Sequence, residues 1–208
     1  MNKNLLIMCG LQCSGKSTLT AKLQSSLGLE LVCSDDVRIE LLGNPKIINA
    51  NPLEQYLVYY QTLEATKNIL NNGSSVIVDA TFSKRIFRQS AYFIAAESDA
   101  SVYIINCVCN NYGLVSERYK HRVEQRKRKE HLFDEWAEIQ IFHNSYQTFE
   151  QLDREAMPDG RPVPIICYDS EKDQAEIVYS DGSETIDMLL EAMNIPAVKG
   201  LRLRAVNQ

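Results

Sequence analysis

The stretch Leu5-Leu6-Ile7-Met8-Cys9-Gly10-Leu11-Gln12-Cys13-Ser14-Gly15-Lys16-Ser17-Thr18 decides the fold. Its first five residues are apolar without polar alternation, the pattern of a strand covered on both faces. Gly10 to Ser17 satisfy G-x-x-x-x-G-K-[ST], and a helical pattern begins where the motif ends. Between a strand and a helix, such glycines let backbone N–H groups close around phosphate at a helix N-terminus. Gly10, Cys13, Ser14, Gly15, Lys16, Ser17 and Thr18 are therefore expected to cradle a nucleotide. Lys16 would neutralise charge shared by the β- and γ-phosphates, and Ser17 would offer its hydroxyl to Mg²⁺.

Working outward, short apolar runs recur at Leu31 to Cys33, Val76 to Val78, Val102 to Val108 and Ile165 to Cys167, separated by longer helical patterns. That alternation predicts an α/β fold with a parallel sheet between helices. Asn51-Pro52 followed by Glu54 starts a helix that stops at Asn71-Asn72-Gly73. Trp136, Ile139, Phe142, Tyr146 and Phe149 form one apolar stripe, read as core packing. Met157 to Pro164 reads as a loop returning to the last strand, and a short strand near Ile177-Val178 and a helix capped by Ser183 and running to Met193 follow. The 208 residues, 45% hydrophobic and 24% charged, suit one domain over residues 1–208, with the role of 171–208 open.

A net charge of −5 argues against a uniformly basic nucleic-acid surface. No apolar run approaches a membrane span or a signal-peptide core, so the expectation is a cytoplasmic protein without membrane partners. Six cysteines without a C-x-x-C pair read as buried thiols; a zinc site on Cys107 and Cys109 lacks a second ligand pair.

Three further stretches carry chemistry. Ser34-Asp35-Asp36-Val37-Arg38 follows the second strand, at the sheet edge where phosphates would lie. Asp35 either accepts the proton of an attacking hydroxyl or caps the next helix, and spacing leaves the two even. Arg38 would bind phosphate or a substrate anion. Asp79 ends the third strand, a position suited to holding Mg²⁺ through water. Arg118 and Arg122 share one helix face within a segment, Glu117 to His131, that holds seven basic and three acidic residues. Both would reach over the phosphates, while Arg126 to Lys129 read either as a solvated face or as a polynucleotide-binding strip.

With these residues in order, the chain resembles the P-loop kinases grouped around polynucleotide 5′-hydroxyl kinases, zeta toxins and chloramphenicol phosphotransferase. The likeness covers Lys3 to Gln151 and rests on four collinear motifs, GLQCSGKST, SDDVR, VIVDAT and ERYKHR. It implies a three-layer P-loop fold with a five-stranded parallel sheet in the order 2-3-1-4-5 and a helical lid at about 117–133. It also implies Asp35 as general base, Arg38 as substrate or phosphate ligand, and Arg122 as lid arginine with Arg118 beside it. Two departures stand out: Cys13 replaces a residue that is usually glycine and brings a thiol open to oxidation, and Phe82 stands where polynucleotide kinases often have asparagine. The reading is an ATP- and Mg²⁺-dependent kinase acting on a hydroxyl, either an RNA or DNA 5′ end or a small metabolite, nucleotide sugar or antibiotic. The alternative is a nucleotide-dependent switch, for which no guanine-selective N-K-x-D motif is found.

Overall fold

The structure, a computed structural model, describes residues 3–43, 52–129, 143–153 and 155–195. Strand β1 (Lys3–Cys9) leads through the glycine-rich loop into α1 (Lys16–Leu27); β2 (Glu30–Cys33) runs directly into α2 (Ser34–Leu42). Helix α3 (Pro52–Asn71), β3 (Val76–Asp79), α4 (Arg85–Glu97), β4 (Ala100–Val108) and α5 (Tyr112–Lys129) follow. Residues 143–147 are helical, and β5 (Ile165–Asp169), β6 (Gln174–Tyr179) and α6 (Glu184–Ala192) close the described chain.

The strands form one sheet in the order β2-β3-β1-β4-β5-β6. The first five are parallel in the expected 2-3-1-4-5 order, and β6 adds an antiparallel edge. This sixth strand corrects the five-stranded expectation: only Ile177-Val178 hinted at it, because its half-buried residues alternate too weakly to read as more than a short strand. Ser183 stands at the N-cap of α6 but makes no side-chain cap bond; its hydroxyl pairs instead with that of Tyr103 at 3.0 Å.

Two apolar layers cover the sheet. On one face Leu5, Ile7, Val76 and Val78 pack with Leu63 and Leu70 of α3 and Phe87, Ala91 and Ala95 of α4. On the other, Leu6, Met8 and Ile105 pack with Leu19 and Leu23 of α1 and Leu189 and Leu190 of α6. Burial on both faces explains why β1 and β3 read as continuous apolar runs. Of the Trp136 to Phe149 stripe, Trp136, Ile139 and Phe142 lie outside the described residues, as do 130–142 of the lid and the side chains of Arg126 to Lys129. Phe149 packs against the α3–α4 layer, as expected of core, whereas Tyr146, at 53% exposure, departs from that expectation.

Register fixes the functional edge. Asp79 pairs with Met8 on one side and Cys33 on the other. The end of β3 therefore lies between the phosphate loop, which follows β1, and Asp35, which follows β2.

Candidate functional site

The phosphate loop departs from ordinary backbone at Gly10 (φ 137°), Cys13 (φ 62°) and Gly15 (φ 93°). A Cβ on Gly10 would stand 2.2 Å from the Cys107 carbonyl oxygen, so β4 and the loop approach this closely only because residue 10 is glycine. A Cβ on Gly15 would meet that of Ser170 at 2.8 Å. Cys13 occupies the left-handed region, which explains why glycine is usual there in similar kinases; the β-carbon costs about 1–2 kcal/mol. Its side chain packs with Cys109, Val115 and Tyr119, contacts that offset the strain.

Gly15 also caps α1, whose first turn contains no acidic residue. Its N-terminal partial positive charge is therefore left uncompensated by the chain, as an anion site requires. Lys16 folds back so that Nζ donates to the Leu11 carbonyl at 2.9 Å, across the mouth of the loop. Ser14 is buried, whereas Ser17 and Thr18 are exposed on the first turn of α1.

Asp79 is 7% exposed. Burial raises its carboxyl above the ordinary value, opposed by the Lys16 ammonium and the Ser17 hydroxyl beside it. A buried carboxylate next to a serine hydroxyl gives two hard oxygen donors, the sparse set that suits Mg²⁺ bound mainly by water and phosphate. Among the described residues no group of three or more His, Cys, Asp or Glu could form a closed metal cage.

Asp35 lies in the first turn of α2, but the N-cap is Cys33 and no side chain caps the helix. Asp35 thus is not the cap, and its carboxylate stands free of that duty with 61% exposure. Arg122 Nη2 from α5 reaches to 3.7 Å of Asp35 Oδ2. Arg122 also lies against the Cys13 thiol, so it bridges the loop and the carboxylate. One helical turn after Asp35, Arg38 is 5% exposed, and its buried Nη1 has no hydrogen-bond partner. Burial lowers its pKa, countered by Asp35 and Glu54. A buried guanidinium nitrogen without an acceptor is costly to the empty fold and favourable to an anion.

Arg118 behaves differently from its neighbour one turn away. Its Nη1 donates to the Cys13 carbonyl at 3.1 Å and to Ser170 Oγ at 2.8 Å, and Nη2 donates to the Ser170 carbonyl. It ties α5 to the loop and to the end of β5. The Cys13 thiol, expected to be open to oxidation, is instead pushed up by burial, which keeps it protonated and a poor nucleophile near neutrality.

Several residues were missed from sequence. Tyr59 of α3 accepts a hydrogen bond from the Phe82 N–H at 2.9 Å and meets the Thr81 hydroxyl at 3.2 Å. Arg88 donates to the Phe82 carbonyl at 2.8 Å and to Glu155 Oε1 at 2.8 Å, while Tyr92 donates to Glu155 Oε2 at 2.6 Å. These buried groups hold Phe82 at φ 45°. Asparagine tolerates that conformation far better than phenylalanine. Phe82 itself is fully buried beside Tyr59, so its ring faces the core. Only the pairing of Arg88 with a distant carboxylate would have revealed this cluster, and Glu155 lies 67 residues away.

A family model described as an AAA domain matches residues 5–150, the span that carries the loop, Asp35, Asp79 and both arginines. The chain belongs to this AAA-domain family. Uncharacterized proteins of Mycobacterium tuberculosis and Mycobacterium bovis are 27% identical to this chain over 103 residues, 45% of it. The chain spans about a fifth of the length of these curated relatives, since the match covers 21% of each. Among solved structures, it is similar to a sugar kinase of Janibacter, with a TM-score of 0.57, 18% identity, and 94% and 96% of the two chains covered. Chaetomium thermophilum Kti12 in complex with ADP-AlF3 gives 0.59 at 15% identity, covering 91% and 95%. The Pnkp1/Rnl/Hen1 RNA repair complex gives 0.54 at 23% identity, covering 70% of this chain and 44% of that one. The AAA domain has the P-loop kinase fold.

Proposed function

We propose that this chain transfers the γ-phosphoryl group of ATP to a hydroxyl acceptor. The observation that carries the reading is the convergence of Lys16, Asp79, Asp35 and Arg122, from four separate segments, on the mouth of one phosphate loop. The exposed Asp35 carboxylate takes the proton from the acceptor hydroxyl as its oxygen attacks the γ-phosphorus. The new P–O bond forms as the bond to the β–γ bridging oxygen breaks, and ADP leaves. Lys16 and Arg122 stabilise the charge that develops on the transferred group, and Arg38 holds an anionic group of nucleotide or acceptor. Gly10, Cys13, Ser14, Gly15, Ser17 and Thr18 shape the nucleotide seat, and Arg118 holds it rigid from outside. Ser17 and Asp79 would hold Mg²⁺, which when bound supplies charge neutralisation to the β- and γ-oxygens.

Support for ATP comes from the fold shared with kinases and from a neighbour crystallised with ADP-AlF3, a mimic of phosphoryl transfer. The acceptor is either a small hydroxyl compound, as the sugar kinase neighbour suggests, or an RNA or DNA 5′ end, as the RNA repair neighbour suggests. Among the described residues no helix is long and apolar enough to cross a membrane, and unpaired thiols together with ATP use fit the cytoplasm.

Asp35→Asn tests the assignment. Transfer should fall by a factor on the order of 10² or more while binding of a non-hydrolysable ATP analogue persists. Full activity in Asp35→Asn would remove the base from the mechanism.

A further inference from the structure

Beside the phosphate loop, away from the Gly15–Ser17 helix start, lies a cleft of about 250 Å³. Its floor is the Gly10–Ser14 arm and the end of β4; Val115, Tyr146 and Phe149 form the walls. Three of the side chains lining it, Gln12, Ser14 and Asn106, each have a buried oxygen without a hydrogen-bond partner. Ser14 is 4% exposed, so its hydroxyl is committed to this interior. Among the described residues, none that lines the cleft is charged.

We propose that this cleft binds an uncharged, polyhydroxylated small molecule beside the phosphate loop, a ligand whose relation to the phosphotransfer reading above is read from the transfer assay. Unpartnered oxygens in one cleft call for a ligand that brings hydrogen-bond donors. Phosphate and carboxylate groups bring only acceptors and would face these oxygens without a counter-charge. An ammonium group is equally disfavoured, because among the described residues no carboxylate lines the cleft to pair with it. Hydroxyl groups meet the demand without a charge to desolvate. The rings of Tyr146 and Phe149 and the Val115 side chain offer apolar surface to the C–H faces of such a molecule. At about 250 Å³ the cleft falls below the roughly 300–1,000 Å³ of drug-sized sites, so it suits a single small ring. The cleft adjoins the loop: Leu11, which borders it, receives the Lys16 ammonium through its carbonyl.

The test is thermal stabilisation and calorimetry on the full chain saturated with AMPPNP, using D-ribose, D-glucose, myo-inositol and adenosine as neutral probes. D-gluconate, glucose 6-phosphate and a 5′-hydroxyl oligonucleotide are the charged probes. The expected result is saturable binding of at least one neutral probe with AMPPNP present, weakened about tenfold in Asn106→Leu and in Gln12→Leu, the change expected when one hydrogen bond is lost. The AMPPNP shift of each variant reports whether its fold and loop survive. Binding only of charged probes, no binding of any neutral probe, or neutral binding that AMPPNP abolishes would overturn the proposal. So would unchanged neutral binding in both variants. Transfer of γ-labelled phosphate is read separately. A bound neutral probe that is never phosphorylated keeps the cleft and removes the kinase reading; phosphorylation of the oligonucleotide alone does the reverse.

Discussion

Asp79, proposed above to hold Mg²⁺, meets two opposing demands, since that role needs the ionised form while burial favours the neutral one. Its value in the folded chain lies above the ordinary one, so the ionised group opposes folding. The sign follows from linkage: the penalty is absent below the unfolded-state value and complete above the folded-state value. Asp79→Asn is therefore expected to raise the melting temperature of the nucleotide-free protein at pH 7, to match the parent near about pH 3, and to abolish transfer. Thermal scans across pH check this, and a lower melting temperature at pH 7 would show that pairing with Lys16 outweighs burial. Arg122 is a second case at this scale. Arg122→Ala should lower kcat by a factor on the order of 10² or more with little change in nucleotide Kd, measured by turnover and titration side by side. Equal losses would make it a ground-state ligand. Most such residues were readable from sequence because their chemistry follows from a local context, a strand end or a turn. The cap reading of Asp35 could not be dismissed that way, since it took the observed N-cap, Cys33, to release the carboxylate.

At the scale of elements, the strained turn after β3 is held by groups that no local pattern connects. Arg88 is fully buried, and although burial would lower its pKa, the Glu155 carboxylate more than offsets this and leaves it raised. Arg88→Met leaves Glu155 with only the Arg85 guanidinium, 3.8 Å away, and is expected to cost about 3–5 kcal/mol in urea unfolding. Arg88→Met combined with Glu155→Leu should recover much of that, because no unpaired charge is left behind. If the single and double variants lose the same stability, the pair is not coupled. The sequence hid this cluster, and likewise the Arg118–Ser170 tie, because the partners lie 67 and 52 residues apart and only the fold brings them together. Helices α3 and α6, by contrast, followed from start and stop signals that are properties of neighbouring residues.

For the whole molecule, the order β2-β3-β1-β4-β5 sets the chemistry, since it lines up three strand ends carrying Asp35, Asp79 and the phosphate loop along one edge. The apolar runs announced the parallel strands because both faces are covered, while β6, at the antiparallel edge and half exposed, carried too weak a pattern. Helix α5 then crosses this edge, one arginine fastening it to the loop and the other reaching Asp35. On the proposed reading ATP consumption is expected to depend on an acceptor, because the base and the transferred group would meet across its bound hydroxyl. The direct measurement is transfer of label from γ-labelled ATP to neutral sugars, myo-inositol, nucleosides and 5′-hydroxyl oligonucleotides, with Lys16→Ala as control. Label on an acceptor, lost in Lys16→Ala and in Asp35→Asn, is the expected result; nucleotide binding with no acceptor-dependent label would contradict phosphotransfer and leave a nucleotide-dependent switch.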